Sequence, residues 1–93
     1  MTKTELIEAL AKAEGITLKA AEITVNSTFK IMADALSSSD RIEIRNFGSF
    51  KVKDYPSYDG RNPKTGEKIR VEPKKLPFFK LSKDLHRRVN NDG

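Results

Sequence analysis

The sequence has no cysteine, a single histidine and no apolar run that approaches the roughly 18 residues a membrane span requires. Without cysteine there is neither a disulfide framework nor a thiolate metal site, so a chain of 93 residues has no covalent staple to offset its small size. One histidine and no pairing of carboxylates leave no constellation for acid–base or nucleophilic catalysis; no enzymatic activity, metal, cofactor or small-molecule substrate is expected. His86 stands beside Arg87 and Arg88, where a surface position or a phosphate contact is the natural reading. Gly48, Gly60 and Gly66 form neither a G-x-G-x-x-G nor a Walker loop, which removes nucleotide binding. The N-terminus alternates charged and apolar residues where a secretory signal would need an unbroken apolar stretch. A reducing, cytoplasmic setting fits.

What is present is basic charge, unevenly divided. Residues 1–40 hold four Lys against six acids, net −2, whereas residues 41–93 hold fourteen Lys and Arg against seven acids, net +7. Charge alone does not separate a solvated face from an anion-binding one; its placement on the elements has to.

Thr2-Lys3-Thr4-Glu5 has the form of a capping box and predicts a helix to about Glu14, with Leu6, Ile7 and Leu10 as its apolar stripe and Gly15 as its stop. Thr17 caps a second helix of about 20 residues, whose apolar positions Leu18, Ala21, Val25, Phe29, Met32 and Leu36 recur at helical steps until Ser37-Ser38-Ser39-Asp40 ends it. From Arg41 the period becomes two. Ile42 and Ile44 alternate with Arg41, Glu43 and Arg45, Asn46-Phe47-Gly48 reads as a turn, and Phe50 and Val52 alternate with Lys51 and Lys53. A β-hairpin results, its lysines turned from the core.

Residues 54–75 disperse Pro56, Gly60, Pro63, Gly66 and Pro73 among basic side chains and cannot build a core. Ile69 and Val71 alternate with Lys68, Arg70 and Glu72, so the stretch is expected to be a protruding two-stranded arm with Arg61-Asn62-Pro63-Lys64-Thr65-Gly66 at its tip. Such a length exceeds that of a minimal connector. Proline at the tip is a rigid apolar wedge with no N–H to leave unpaired; with Arg61 and Lys64 for phosphates and Asn62 for base edges, it suits partial insertion between base pairs. Leu76 to Leu81 returns to a strand, Ser82 caps a last short helix carrying Leu85 and Val89, and Asn90-Asn91-Asp92-Gly93 is expected to fray. The expected order is ααβββα in one domain: helical hairpin 1–40, β-hairpin 41–53, arm 54–75, strand and C-terminal helix 76–93.

Asn46-Phe47-Gly48-Ser49-Phe50, Gly60-Arg61-Asn62-Pro63-Lys64-Thr65-Gly66 and Lys75-Leu76-Pro77-Phe78-Phe79-Lys80 occur in this order and resemble the bacterial HU/integration host factor family over essentially the whole chain. The resemblance implies an α+β fold in which two chains interlock into one body, built from helical hairpins, a three-stranded antiparallel sheet and a short C-terminal helix. Two ribbon arms leave this body to wrap duplex DNA. It also implies minor-groove binding and bending in the bacterial nucleoid, in support of DNA condensation, recombination, replication and transcription regulation. Pro63 matches the family's intercalating proline, and Arg61 and Asn62 its arm residues. The opening Met1-Thr2-Lys3-Thr4-Glu5-Leu6-Ile7-Glu8 and Arg41-Ile42-Glu43-Ile44-Arg45 are more similar to integration host factor beta subunits than to HU. There Glu43 and Arg45 match body residues that read DNA shape. Asn46 stands where Gly is common, and Leu81-Ser82 where Pro-Gly is frequent; Asn tolerates the left-handed conformation that Gly supplies.

The expected DNA-contacting set is therefore Lys3, Glu43, Arg45, Lys51, Lys53, Arg61, Asn62, Pro63, Lys64, Thr65, Gly66, Lys75, Lys80 and Lys83. The second chain is a copy, as in an HU-type homodimer, or a related alpha-type subunit. An RNA-binding module would carry similar charge, but single-strand readers expose aromatic side chains for stacking, whereas Phe29, Phe47, Phe50 and Phe79 are expected on apolar faces. A structural protein using the arm on acidic protein partners is a third reading, separable by competition with duplex DNA. Because each neutralised phosphate releases condensed counterions, log affinity for duplex DNA is expected to fall against log salt with a slope of about −0.9 per contact. A titration series in rising salt checks this, and a flat plot would contradict the reading.

Overall fold

The computed structural model describes residues 1–91. Helix α1 (Lys3–Glu14) starts on the expected capping box. The Glu5 N–H donates to Thr2 Oγ1 at 3.2 Å, and the Thr2 N–H donates to Glu5 Oε1 at 3.1 Å. Gly15 ends it at φ 63°, and the Ile16 N–H reaches back to the Ala11 carbonyl, the left-handed closure that favours glycine. Helix α2 (Leu18–Ser37) begins at Thr17, whose hydroxyl accepts from the Ala20 N–H. Its end uses the same closure without glycine. Ser39 takes φ 61° while the Ser39 and Asp40 N–H groups donate to Leu36 and Ala35.

Strands β1 (Ile42–Ile44), β2 (Gly48–Tyr55) and β5 (Lys74–Leu81) form an antiparallel sheet in the order β1-β2-β5, and β3 (Tyr58–Arg61) pairs with β4 (Lys68–Val71) in a separate ribbon. The β1–β2 turn is Arg45-Asn46-Phe47, one residue earlier than expected, because Gly48 already pairs with Ile44 and Leu81. Asn46 adopts φ 66°, as an Asn in place of Gly permits. The arm's boundaries also move. The ladder continues through Asp54↔Lys75 and Tyr55↔Lys74, so the arm begins two residues further out, where Pro56 and Pro73 face each other across the ribbon without N–H donors and interrupt the pairing. Helix α3 (Lys83–Asn91) is capped by the Ser82 hydroxyl, which accepts from the Leu85 N–H. Asn90 and Asn91 still belong to it, with Asn90 Nδ2 donating to the His86 carbonyl at 2.8 Å; Asp92 and Gly93, the rest of the expected frayed end, lie outside the described residues.

Register divides the body sheet into two faces. Ile42, Ile44, Phe50, Val52, Pro77, Phe79 and Leu81 share one, where Phe79 packs on Phe50 and Phe47 at ring distances of 4.8 and 5.6 Å. Helix α2 contacts β1 and β2. Little of this is sealed, however. Among the described residues the buried apolar side chains are Ile7, Ala11, Ala21 and Val25, all in the helical hairpin, while Phe29 and Phe79 remain 47% and 40% exposed. Phe47, Phe50 and Phe79 cluster on the apolar face as expected, but one chain does not cover them, and it leaves Phe29 of α2 half exposed. A radius of gyration of 19.2 Å, against roughly 12 Å for a compact domain of this length, reflects the projecting arm and the thin core.

Four buried apolar residues do not offset the chain entropy of a domain this size, so folding is expected to be coupled to association. The melting temperature should rise with protein concentration; a light-scattering monomer whose melting point is unchanged on dilution would refute this. Gly48 gives a sharper test, since a Cβ there would lie against the Phe79 ring and 2.6 Å from the Lys80 carbonyl oxygen. Gly48→Ala should therefore cost about 2 kcal/mol or more, read by denaturant unfolding.

Candidate nucleic-acid interface

The second face of the body sheet is basic. Ser49, Lys51, Lys53 and Tyr55 of β2 lie beside Lys74, Leu76, Phe78 and Lys80 of β5, with Glu43 of β1 at the edge. Lys53 Nζ sits 4.5 Å from the centre of the Phe78 ring, a diagonal cation–π contact that fixes the ammonium over the sheet. At the β1 end this face deepens into an open concavity of about 660 Å³ that brings together Glu43, Arg45, Lys51, Lys80 and Lys83, five of the expected contact residues. Its shape comes from backbone bonds: the Ser82 N–H donates to the Phe47 carbonyl at 2.9 Å, which holds the start of α3 against the β1–β2 turn. Glu43 is ion-paired with Arg41, which immediately precedes the strand. Lys3 is exposed at the first turn of α1.

Lys75 departs from the expected set. Its register places it with Phe79 and Leu81 on the opposite face, where its Nζ donates to Ser39 Oγ at 3.0 Å and lies 4.0 Å from Asp54 Oδ1. It ties the ladder to the end of α2. Lys74, overlooked in the sequence, occupies the basic face instead, and so does Phe78. The signal was available: Phe79 and Leu81 fix which side of β5 is apolar, so Lys74 and Lys80 must share the other.

Past the proline break the arm is a ladder of its own, at whose base Arg70 donates to Ser57 Oγ at 3.2 Å. Asp59, Arg61, Lys68 and Arg70 occupy one side of the ribbon, and Tyr58, Gly60, Ile69 and Val71 the other. Lys68 and Arg70 thereby join Arg61 in a cationic strip that the expected set contained only in part.

The tip is closed by its own backbone. The Asn62 N–H donates to the Glu67 carbonyl at 2.9 Å and the Gly66 N–H to the Asn62 carbonyl at 2.7 Å; Gly66 takes φ 75° to re-enter the strand. Thr65 Oγ1 accepts from the Glu67 N–H at 3.3 Å, so Thr65 and Gly66 shape the turn. Asn62 Oδ1 accepts from the Lys64 N–H at 2.9 Å. The amide oxygen is thus turned toward the backbone of the turn, and the NH₂ group is left to donate; the minor-groove edge of an A·T pair presents only acceptors. Pro63 begins the bend, exposed at its apex, where its fixed φ suits the first turn position.

Among the described residues no group of three acidic, histidine or cysteine side chains could hold a metal ion, and no helix is long and apolar enough to cross a membrane. The arrangement is a lysine-bearing body face with a concavity at one end and, past the proline break, a projecting, proline-tipped ribbon with its own basic side.

The model of the family described as bacterial DNA-binding protein matches residues 1–90. Integration host factor subunit beta from Pseudoalteromonas translucida is 50% identical over 91 residues, covering 97% of this chain and 96% of that protein. The same subunit from Ralstonia nicotianae is 47% identical over 97% of this chain, which spans 66% of that longer protein. Among solved structures, HU from Anabaena in a cocrystal with DNA superposes with a TM-score of 0.85 at 32% identity, covering 98% of this chain and 99% of that one. An HU variant from Thermotoga maritima gives a TM-score of 0.72 at 28% identity over 97% of this chain and 100% of that one. Matched along nearly its whole length in sequence and in fold, the chain belongs to the bacterial DNA-binding protein family of HU and integration host factor.

Proposed function

We propose that this chain is an architectural protein that binds the minor groove of duplex DNA as one half of a dimer and bends it, with no catalytic role, in the bacterial nucleoid. The observation that carries the reading is the succession of a basic body sheet and a basic ribbon. On the β2–β5 ladder Lys51, Lys53, Lys74 and Lys80 share one face, and past the break at Pro56 and Pro73 the separate β3–β4 ribbon carries Arg61, Lys68 and Arg70 toward an exposed proline. A ligand that follows this surface must be long, anionic and deformable. Duplex DNA meets all three conditions, and the Anabaena relative was crystallised with it. The partner is a second copy or an alpha-type subunit that supplies the cover Phe29 and Phe79 lack.

In this reading Lys51, Lys53, Lys74, Lys80 and Lys83 neutralise phosphates along the body, and Glu43 and Arg45 are set in the concavity to respond to groove shape. Along the arm Arg61 enters the minor groove with the Asn62 amide, Lys64 holds a phosphate and Pro63 wedges a base step. Unstacking that step costs on the order of a few kcal/mol, recovered only if the kink brings distant phosphates to the body.

Pro63→Ala is therefore expected to reduce bending of intact duplex, measured by end-to-end fluorescence transfer, and to lose less affinity on nicked or mismatched duplex, where unstacking is already supplied. Lys64→Ala should weaken all these substrates alike, since a phosphate contact is indifferent to stacking. Full bending by Pro63→Ala would reduce Pro63 to a turn residue.

A further inference from the structure

Gly60 lies inside β3, opposite Ile69, in ordinary extended backbone with no positive φ. Glycine weakens a strand interior and often marks a site of close approach by a ligand or another backbone; the conformation here does not call for it. Nor does packing within the chain: a Cβ at position 60 would lie 3.6 Å from Tyr58 Cε2, 3.7 Å from Ile69 Cγ1 and 3.8 Å from Val71 Cγ2, which is ordinary contact. The ribbon could hold alanine without strain. It holds instead a shallow slot walled by three carbon atoms, on a face where Tyr58 and Ile69 are 60% and 45% exposed and where a strand glycine allows a ligand to approach closely.

We propose that this slot is a seat for a deoxyribose of the minor-groove wall, and that it makes the arm favour deoxyribose over ribose. The proposal rests on the DNA-bending reading and deepens it. Gly60 and Pro63 are three residues apart, roughly 10 Å along the ribbon, so the seated sugar belongs to a nucleotide near the wedged step. Arg61, Lys68 and Arg70 lie on the other side of the ribbon, so the seat itself meets the sugar through apolar contact alone. A ribose would bring a 2′-hydroxyl, displayed in the minor groove, against Tyr58 Cε2, Ile69 Cγ1 and Val71 Cγ2. No acceptor among those atoms replaces the water it would lose.

The test uses the full chain in its dimeric form. Affinity is measured for an intact DNA duplex and for the same duplex with ribonucleotides substituted on both sides of the wedged step. The parent should prefer the all-deoxy duplex by about tenfold, and Gly60→Ala should bind that duplex about tenfold more weakly, lose most of the preference, and keep the parent's melting temperature and salt slope. Ile69→Ser, which places a hydroxyl partner in the slot, should narrow the preference from the other side by improving binding of the ribo-substituted duplex. If Gly60→Ala binds both duplexes as the parent does, or weakens on both with the preference intact, the slot is not a sugar seat. Those outcomes leave the bending function standing; a parent chain that fails to bind duplex DNA would overturn both.

Discussion

The register of β2 against β5 is the constraint on which the rest of the molecule depends. Eight consecutive pairs, from Gly48↔Leu81 to Tyr55↔Lys74, decide at once which side chains meet α2 and which form the basic surface. A slip of one residue would exchange the two sets. Two features pin the alignment. Gly48 admits the Phe79 ring and the Lys80 carbonyl where any side chain would collide, and Phe50 faces Phe79 directly across the ladder. At the far end Lys75 bonds to Ser39 and lies near Asp54, so the helix terminus and the base of the arm are held to the same frame.

Because that frame is a single sheet with helices against one side, the core it can enclose is small. Ile7, Ala11, Ala21 and Val25 seal the helical hairpin, but the aromatic cluster of Phe47, Phe50 and Phe79 is left open at its edge. An open cluster on one face and an arm that contributes nothing to it suit a chain that completes its core with a partner. The same division protects function from folding: the arm is joined to the body across Pro56 and Pro73, where the ladder is broken, so changes at its tip reach the body only through that joint.

Much of this was legible in the sequence because the signals are local. Thr2 with Glu5, Thr17, Gly15 and Ser82 each act within one helical turn, and each does in the structure what its position implies. Asn46 in a left-handed turn position is likewise a property of one residue and its neighbours. Relations across strands were harder to read. Lys74 and Lys75 are chemically equivalent as a doublet; alternation with Phe79 and Leu81 separates them only once the strand is known to reach back to Lys74, and the pairing with β2 shows that it does. The arm's true base was missed for a similar reason, since Asp54 and Tyr55 have no strand signature of their own and are extended by their partners. The exposure of Phe29 and Phe79 lies further beyond reach, as it depends on a surface that a single chain does not contain.

The basic face also shows how a charged surface is kept compatible with the sheet that bears it. Lysines directly opposite one another would destabilise an antiparallel pair. Here each is set against a neutral residue: Lys80 opposite Ser49, Lys51 opposite Phe78, Lys53 opposite Leu76 and Lys74 opposite Tyr55. The charges therefore form a staggered array, and Phe78 serves both as spacer and as a π surface for Lys53. Staggering lowers the repulsion without removing it, so a residual self-energy is held on one face while the apolar contacts of the other oppose it. An anionic ligand relieves that energy on binding, and by linkage whatever relieves it also stabilises the fold. Affinity and stability are thus joined through the face opposite the core, and a lysine removed from this array should cost the complex more than it costs the free protein.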